Sequence, residues 1–356
     1  MAISRLLVQN FRNIAQTDLE FESKFNFIVG NNGSGKTSLL EAVYYLAHGR
    51  SFKSAVSNRI ISYEQPHFLL HCKVQEYQHQ WSIGLQKFRQ GNTIFKINGE
   101  EANKLSQLTH LLPMQIITPE GLNLLNGGPI YRRAFLDWGL FHHNNAFYPA
   151  WSNLNRLLKQ RNAALQQVSD YNQLLIWDKE LVKIAHQVTS WRAEYVESLR
   201  SEIERTCALF LPELHISLTF YQGWEKETNY GDILKRNFQR DKAVGYTMSG
   251  TQKADLRFRC NGLPAEDVLS RGQLKLLMCA LRLAQGEHLM TQKNRHCIFL
   301  IDDFASELDP SKRELLAHRL QQSQSQVFIT AITNDQLIQM QPKNHRTFYV
   351  KEGRID

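Results

Sequence analysis

The stretch Gly30–Thr37, which reads GNNGSGKT, decides the fold. It fits the phosphate-binding pattern GxxxxGK[ST] in full, a pattern that needs glycines because backbone N–H groups must close around phosphate oxygens. The apolar run Phe25–Val29 before it predicts a buried strand, and apolar residues at helical spacing after it predict a helix that ends at Gly49. A strand, a phosphate loop and a helix in this order predict a nucleotide site.

The residues of this loop have separate expected roles. Lys36 is expected to bridge the β- and γ-phosphates, and Thr37 to offer its hydroxyl to Mg²⁺. The N-terminus of the following helix adds a favourable field for anions. ATP and Mg²⁺ are therefore the expected cofactors, and the expected nucleotide-binding residues of the loop are Gly30, Asn31, Asn32, Gly33, Ser34, Gly35, Lys36, Thr37 and Ser38.

A second stretch supplies carboxylates. The apolar run Cys297–Ile301 predicts a strand, and Asp302 and Asp303 follow it directly. P-loop ATPases hold Mg²⁺ through an acid at the end of such a strand, which makes Asp302 the expected metal ligand beside Thr37. Asp303 stands where a general base or a water-orienting carboxylate belongs, so Asp303 and Lys36 are the expected catalytic residues. Two adjacent acids also fit a solvated turn.

A third stretch, Leu269–Gln273, reads LSRGQ and resembles the LSxGQ signature of ABC-type ATPases at the start of a predicted helix. In that superfamily the segment contacts the γ-phosphate bound to the opposite protomer. Ser306–Asp309 resembles the D-loop, which reaches across the same interface. The resemblance implies an ATP-dependent homodimer, with contacts in trans from Ser270, Arg271, Gly272, Gln273 and Asp309.

The middle of the chain predicts an antiparallel helical hairpin. Apolar residues from Leu174 to Cys207 recur at steps of three or four, which predicts one stripe on a helix of about 50 Å that ends before Pro212. An earlier stripe from Trp151 to Val168 precedes it, after which comes the polar break SDYN. The aromatic residues of the long stripe are expected in a core rather than on a base-stacking surface.

Strand and helix patterns alternate on both sides of the hairpin. This arrangement predicts an α/β fold, an ABC-type P-loop ATPase head with a mainly helical inserted lobe. The expected division is an N-terminal part of the ATPase lobe at 1–120, the insertion at 121–240, and a C-terminal part of the ATPase lobe at 241–356.

Composition restricts the class of protein. The net charge of +8 favours a polyanionic partner such as DNA without deciding the matter, because many basic proteins bind no nucleic acid. The five cysteines are scattered and never spaced as CxxC, so neither a disulfide framework nor a zinc site is supported. The apolar run Cys297–Ile301 is far shorter than the ~20 residues of a membrane-spanning helix, and the N-terminus lacks the apolar core of a secretory signal. We expect a cytoplasmic protein.

Nearly the whole chain resembles the RecF family. The resemblance rests on Pro119–Asp137, which contains a Gly-Gly-Pro turn and paired arginines, and on Leu300–Asp309, where Asp-Asp replaces the more usual Asp-Glu. Residues 10–13, which read NFRN, also resemble the opening of RecF and SMC-type ATPase heads. In those heads the arginine approaches nucleotide phosphate, so Arg12 and Asn13 are expected nucleotide contacts. A short hairpin in place of a very long coiled coil favours RecF over the SMC family.

The resemblance implies an ATP-driven dimer that binds duplex DNA near single-strand gaps, without reading its sequence. It further implies cooperation with RecR and RecO in loading RecA, and so a role in repair and the SOS response at the nucleoid. Gln115 is the candidate Q-loop glutamine that senses Mg²⁺. The candidate DNA phosphate contacts, each of which also fits a merely solvated surface, are Arg132, Arg133, Lys159 and Arg161.

The chain departs from the family pattern at two places. Gly250–Asp255 stands where a Gly-Pro-His-like segment is expected, and the switch histidine of ABC proteins lacks a clear equivalent. Thr330 or Thr333 is expected in the histidine's place, without titrating near neutral pH. A missing histidine and a short base at Asp303 both predict slow hydrolysis, well below the ~10 s⁻¹ that is typical of enzymes.

Two other functions fit parts of the sequence. The ATPase subunit of a membrane transporter carries the same signature, but neither the long helical insertion nor the paired-arginine segment is expected there. A DNA-binding scaffold in which ATP is only structural is the other alternative.

Overall fold

The structure is a computed structural model that describes residues 1–54, 56–76, 79–102, 104–303, 308–340, 342 and 344–356. The strands are β1 (Ala2–Phe11), β2 (Ile14–Glu20), β3 (Phe25–Val29), β4 (His67–Glu76), β5 (His79–Phe88), β6 (Thr93–Ile97), β7 (Glu100–Glu101), β8 (Met114–Ile117), β9 (Ile216–Tyr221), β10 (Asp255–Cys260), β11 (Leu263–Pro264), β12 (Ile298–Ile301), β13 (Val327–Ala331), β14 (His345–Lys351) and β15 (Arg354–Ile355). The α-helices are α1 (Lys36–His48), α2 (Leu105–Leu111), α3 (Asn123–Asn126), α4 (Pro129–His143), α5 (Phe147–Leu165), α6 (Leu175–Phe210), α7 (Tyr230–Arg236), α8 (Phe238–Val244), α9 (Ala265–Val268), α10 (Arg271–Lys293) and α11 (Pro310–Gln322).

Packing divides the chain into two compact units. Unit 1 contains residues 1–121 and 286–356, and unit 2 contains residues 122–285. The first boundary, which follows residue 121, lies within two residues of the boundary expected after residue 120. The second differs, because residues 241–285 group with unit 2 rather than with the C-terminal part of the ATPase lobe.

A mainly parallel sheet in unit 1 carries the phosphate loop. Its strand order is β15-β14-β3-β13-β12-β8, and the neighbouring pairs from β14 to β8 are parallel. Every residue of β3 and of β12 is buried, as expected for strands covered on both faces. The carboxyl ends of β3 and β12 therefore lie at one edge of the sheet, and Gly30 and Asp302 follow them there.

An antiparallel sheet of unit 1, in the order β2-β1-β4-β5-β6-β7, shares its core with α1. Alternate residues of β1 and β4 are buried, and they pack in one cluster with the buried side of α1 and with residues of β3, β12 and β13. Gly49 ends α1 in the left-handed region at φ 60°, which confirms the predicted C-cap. This core holds α1 and the phosphate loop before it against two sheets.

The predicted helical hairpin is present in unit 2. Helix α6 has 36 residues and packs against α5, and the end of α5 meets the start of α6 through an ion pair between Arg161 and Asp178. Residues of the predicted stripe, including Leu181, Val188 and Tyr195, are buried and form a core, whereas Trp177 and Trp191 are half-buried. A three-stranded antiparallel sheet, β11-β10-β9, completes the strands of the unit.

Two further features of the chain are the burial of its cysteines and the apolar character of its helices. Cys72, Cys207, Cys260, Cys279 and Cys297 are buried thiols. Among the residues that the structure describes, no helix combines the length and the apolar character needed to cross a membrane.

Candidate nucleotide-binding site

The phosphate loop joins β3 to α1. Gly33 and Gly35 have φ of 79° and 119°, a region that side chains with a Cβ rarely adopt. A Cβ on Gly30 would come within 2.3 Å of the Val350 carbonyl oxygen, so the loop also needs glycine for close packing. The N-terminal N–H groups of α1 lie beside the loop and form the anion-binding end of a helix.

Lys36 is held over the loop. Its side chain is buried, and Nζ donates to the carbonyl oxygens of Gly30 at 2.8 Å and Asn31 at 3.2 Å. The loop's own carbonyls thus place the ammonium where phosphate oxygens would replace them. The expected position of Lys36 in a phosphate site is compatible with this arrangement.

Thr37 and Asp302 are hydrogen-bonded across 265 residues of sequence, with Thr37 Oγ1 donating to Asp302 Oδ1 at 3.0 Å. Burial raises the pKa of Asp302, while the hydroxyl of Thr330 and the ammonium of Lys53 lower it in part. A hydroxyl and a carboxylate oxygen are hard donors of the kind Mg²⁺ prefers, and a cation here would offset the cost of burying the carboxylate. The residues therefore fit Mg²⁺, which Thr37 and Asp302 would hold.

Asp303 has a strained backbone that Thr330 supports. Its φ is 46°, and its N–H donates to Thr330 Oγ1 at 2.8 Å. The Thr330 hydroxyl in turn donates to Asp302 Oδ1 at 2.8 Å. Thr330 therefore joins the two acids, whereas Thr333, the other residue expected in the histidine's place, lies beyond the end of β13 with an exposed side chain.

Arg12 and Asn13 lie against the phosphate loop and α1. Arg12, with φ 56°, donates through Nε and Nη2 to both carboxylate oxygens of Glu41, at 2.9 and 2.8 Å. Asn13 Nδ2 donates to the Ser34 carbonyl at 3.2 Å. Both residues line the cleft beside the loop, as the resemblance implies.

The cleft in unit 1 has a volume of about 970 Å³ and contains cations that the sequence reasoning missed. Lys53, Arg59 and Arg89 line it together with Tyr63, a residue that is 87% exposed. The three cations follow α1 in sequence, so a group of basic residues within about 50 positions of the phosphate loop was the available signal. Their convergence depends on contacts between β1 and the segment before β4, which no local pattern reveals.

The structure places Gln115 away from the edge of the sheet where the metal was expected. Gln115 lies inside β8, is buried, and pairs in register with Phe299 on β12. Asp302 is three residues beyond Phe299, which is about 10 Å along the strand. Thr118, rather than Gln115, follows β8 at the edge where Asp302 lies, and the Asp302 N–H donates to the Ile117 carbonyl at 3.0 Å.

The signature segment begins α10. The Ser270 N–H donates to Gln273 Oε1 at 2.9 Å, and Ser270 Oγ accepts from the Gln273 N–H at 3.3 Å, a reciprocal capping box. Ser270, Arg271 and Gly272 are exposed. An exposed serine at the N-terminus of a long helix can bind an anion, provided that the ligand exchanges with the cap bond.

The D-loop residues Ser306 and Glu307 lie outside the described residues, as do Phe304 and Ala305. Asp309 is described, and it caps α11, because its Oδ1 accepts from the Lys312 N–H at 3.0 Å and from the Ser311 hydroxyl at 2.6 Å.

Two of the four candidate DNA contacts are buried in unit 2. Arg132 binds both oxygens of Asp255, at 2.7 and 3.1 Å, and Arg161 is 0% exposed. Arg161 donates to Asp178, Asp241 and Thr247, so neither guanidinium is available to a phosphate. The DNA role expected for Arg132 and Arg161 is therefore corrected to a packing role.

The other two candidates differ from each other. Arg133 is half-buried and donates to the Ala254 carbonyl at 2.9 Å. Lys159 is an exposed residue of α5. Lys159 is the candidate whose position suits a DNA phosphate.

A phosphate loop after a parallel strand, an acid bonded to its threonine and a serine-capped signature helix define a P-loop ATPase head of the ABC type. The family model described as "RecF/RecN/SMC N terminal domain" matches residues 2–356. In agreement with this class, the Smc head domain with an extended coiled coil from Pyrococcus furiosus has a similar fold, with a TM-score of 0.60 at 15% identity over 100% of this chain and 95% of that one.

Full-length relatives narrow the assignment. The chain is 74% identical over 355 residues to the DNA replication and repair protein RecF of Pasteurella multocida (strain Pm70), and 71% identical over 356 residues to that of Haemophilus influenzae (strain ATCC 51907 / DSM 11121 / KW20 / Rd). Each match covers 100% of this chain and 99% of the relative. The structure described as the recombination mediator protein RecF-ATP in the RecFOR pathway has the same fold, with a TM-score of 0.88 at 22% identity over 100% of this chain and 97% of that one. The chain belongs to the RecF family.

Proposed function

We propose that the chain is an ATP-dependent DNA-binding protein that dimerises on ATP and acts in the recombinational repair of single-strand gaps. Its relatives are named DNA replication and repair protein, and a solved relative is described with ATP in the RecFOR pathway. On this basis it helps to load RecA together with RecO and RecR, in the cytoplasm at the nucleoid. Slow, Mg²⁺-dependent hydrolysis of ATP then resets it.

The bond between Thr37 and Asp302 carries the nucleotide part of the proposal. It brings the end of the phosphate loop and the acid after β12 into direct contact, although they are far apart in sequence. Mg²⁺ held there would supply charge neutralisation for the β- and γ-phosphates. Backbone N–H groups of the loop and the Lys36 ammonium would bind the same phosphates, and the cations of the cleft add to the favourable field.

Asp303 is the proposed water-orienting carboxylate. Its N–H bond to Thr330 fixes its backbone, and Thr330 also bonds Asp302, so the two acids are coupled through one hydroxyl. An aspartate has a shorter reach than a glutamate, and a threonine does not titrate near neutral pH. Both features support slow turnover, which a steady-state rate near the ~10 s⁻¹ of typical enzymes would contradict.

The signature segment supports a composite site in a dimer. Ser270 and the backbone of Arg271 and Gly272 are exposed at the start of a helix, where they can bind the γ-phosphate held by the phosphate loop of a second protomer. Gln273 and Asp309 are the further residues proposed to act across that interface. Dimer closure then depends on the γ-phosphate, because ATP and ADP differ in that group.

Sedimentation with and without ATP and duplex DNA tests the proposal. The wild type is compared with Lys36→Ala, which loses a phosphate ligand, and with Ser270→Arg, which blocks the signature without touching the phosphate loop. We expect ATP to dimerise the wild type, both variants to remain monomeric, and only Ser270→Arg to keep ATP binding. DNA affinity is expected to fall steeply with salt, because phosphate contacts release counterions.

An oligomeric state that ignores ATP, together with an unchanged Ser270→Arg variant, would exclude the composite site. If Lys36→Arg leaves DNA loading in cells intact, ATP is structural and the protein is a DNA-binding scaffold. Co-purification with an integral membrane protein would favour the transporter alternative.

A further inference from the structure

Lys53 faces the carboxylate expected to hold the metal. Its Nζ lies 3.9 Å from Asp302 Oδ2, whereas Thr37 and Thr330 both donate to Asp302 Oδ1. The Lys53 side chain is 44% exposed and lines the nucleotide cleft with Lys36 and Thr37. The buried carboxylate is thus contacted by hydroxyls on one oxygen and approached by an ammonium on the other, from the side of the cleft.

The loop that carries Lys53 is anchored to α1. Ser51 Oγ accepts from the N–H groups of Lys53 at 2.9 Å and Ser54 at 2.8 Å, and it donates to Glu41, the partner of Arg12. The backbone beside Lys53 is therefore fixed, while its four-carbon side chain reaches into the cleft. Lysine suits a charge that must change partners, because its ammonium is a compact charge on a flexible stem.

We propose that Lys53 is an exchangeable counter-ion for the metal site. Without a divalent cation its ammonium neutralises Asp302. When a divalent cation binds at Thr37 and Asp302, the ammonium leaves, because two cations repel each other at one carboxylate. It is then available to the polyphosphate of a nucleotide in the same cleft. This inference rests on the nucleotide site proposed above, in which Lys53 is a positioning residue.

Loss of the Lys53 ammonium is expected to strengthen metal binding. Removing a residue from a metal site ordinarily weakens metal binding, but removing a competing cation strengthens it. For an ammonium 3.9 Å from the carboxylate and partly in solvent, the expected gain is about fivefold in affinity, or about 1 kcal/mol. Nucleotide binding in the absence of a divalent cation should weaken, because Asp302 then repels the phosphates without compensation.

Titration of the nucleotide-free, full-length protein with Mn²⁺, followed by electron paramagnetic resonance, measures the first effect. We expect Lys53→Met to bind Mn²⁺ about fivefold more tightly than the wild type, and Lys53→Arg to resemble the wild type. Arg50→Met removes the same charge from an exposed position of the same loop and should leave Mn²⁺ affinity unchanged. ATP affinity measured in chelator should fall in Lys53→Met by more than it falls with Mg²⁺ present.

If Lys53→Met binds Mn²⁺ no more tightly than the wild type, including the case in which neither binds measurably, the proposal is overturned. An equal gain in Arg50→Met would assign the effect to net charge and would also overturn it. These outcomes differ from failure of the proposed function, which would appear as a wild type that neither binds ATP nor dimerises with it. The Mn²⁺ titration requires neither event.

Discussion

Arg161 offers the sharpest test of how the basic residues of unit 2 are used. Its guanidinium is buried and donates to Asp178 at 2.6 Å, to Asp241 at 3.1 Å and to the Thr247 hydroxyl at 2.7 Å. The two carboxylates are 3% and 1% exposed. Arg161→Ala therefore leaves two acids in the interior of the unit without the cation that pairs them.

The expected loss of stability is large. Removing one partner of a buried ion pair typically costs about 3–5 kcal/mol, because the remaining charge keeps its desolvation penalty. For a unit of this size each kcal/mol lowers Tm by about 2–4 °C, so the transition that reports on unit 2 should fall by roughly 6–20 °C. Burial already raises the pKa of Asp241 in the wild type. Without Arg161 that pKa should rise further. The difference in Tm between the wild type and Arg161→Ala should therefore become smaller as the pH falls from about 8 to about 5, because the unpaired acid takes up a proton.

Calorimetry and DNA binding on the same samples separate a packing role from a DNA contact. Lys159→Ala is the matched control, because Lys159 lies two positions away on the same helix and is exposed. It should leave Tm unchanged, and if Lys159 contacts DNA it should reduce the salt slope of binding by about 0.9. An Arg161→Ala variant that keeps its Tm and loses only DNA affinity would refute the packing argument.

Three further predictions concern unit 1. Gln326 donates to the carbonyls of Ile3 and Glu22 and accepts from the Ile3 N–H. Gln326→Leu should therefore lower the free energy of unfolding by about 2–4 kcal/mol, because these backbone groups lose their partner. Calorimetry should show a lower Tm, and an unchanged Tm would contradict the prediction. If the ring of Tyr63 stacks on the adenine base, Tyr63→Ala should weaken ATP binding about tenfold in calorimetric titrations. Binding of tripolyphosphate, which has no base, should stay the same. Equal losses of affinity for both ligands would exclude stacking. Asp302→Asn should abolish the Mg²⁺ dependence of ATP affinity in calorimetric titrations, because it removes the carboxylate proposed to hold the cation beside Thr37; an undiminished Mg²⁺ dependence would contradict this.

Local patterns predicted the parts of the site that are continuous in sequence. The phosphate loop, its strand and its helix form one stretch of fewer than 30 residues, and each element has its own signal. The hairpin was equally accessible, because its stripe repeats over 36 residues of α6. The sequence also predicted that Asp302 belongs near Thr37, since the motif pairs those residue types, although it could not supply the bond between them.

Strand register and side-chain burial could not be predicted from local sequence patterns. Gln115 has the right residue type for a metal sensor, but the pairing of β8 with β12 sets it three positions before the edge where Asp302 lies. Lys53 carries no motif, and its position opposite Asp302 depends on how the loop after α1 is anchored through Ser51. The positions of Gln115 and Lys53 relative to Asp302 are both decided by contacts between elements that are distant in sequence.

The paired arginines show why a resemblance that correctly assigns the family can mislead about a surface. Arg132 and Arg133 helped to identify the chain, and net charge made them reasonable DNA contacts. In the structure both bind the end of the segment that departs from the family pattern, since Arg132 pairs with Asp255 and Arg133 donates to the Ala254 carbonyl. Arg132 and Asp255 therefore stabilise the packing of unit 2. Their ion pair also explains why the segment Gly250–Asp255, which departs from the family pattern, ends in an acid. A net charge of +8 does not say which arginines remain exposed, so the proposed DNA contacts must be sought among exposed cations such as Lys159.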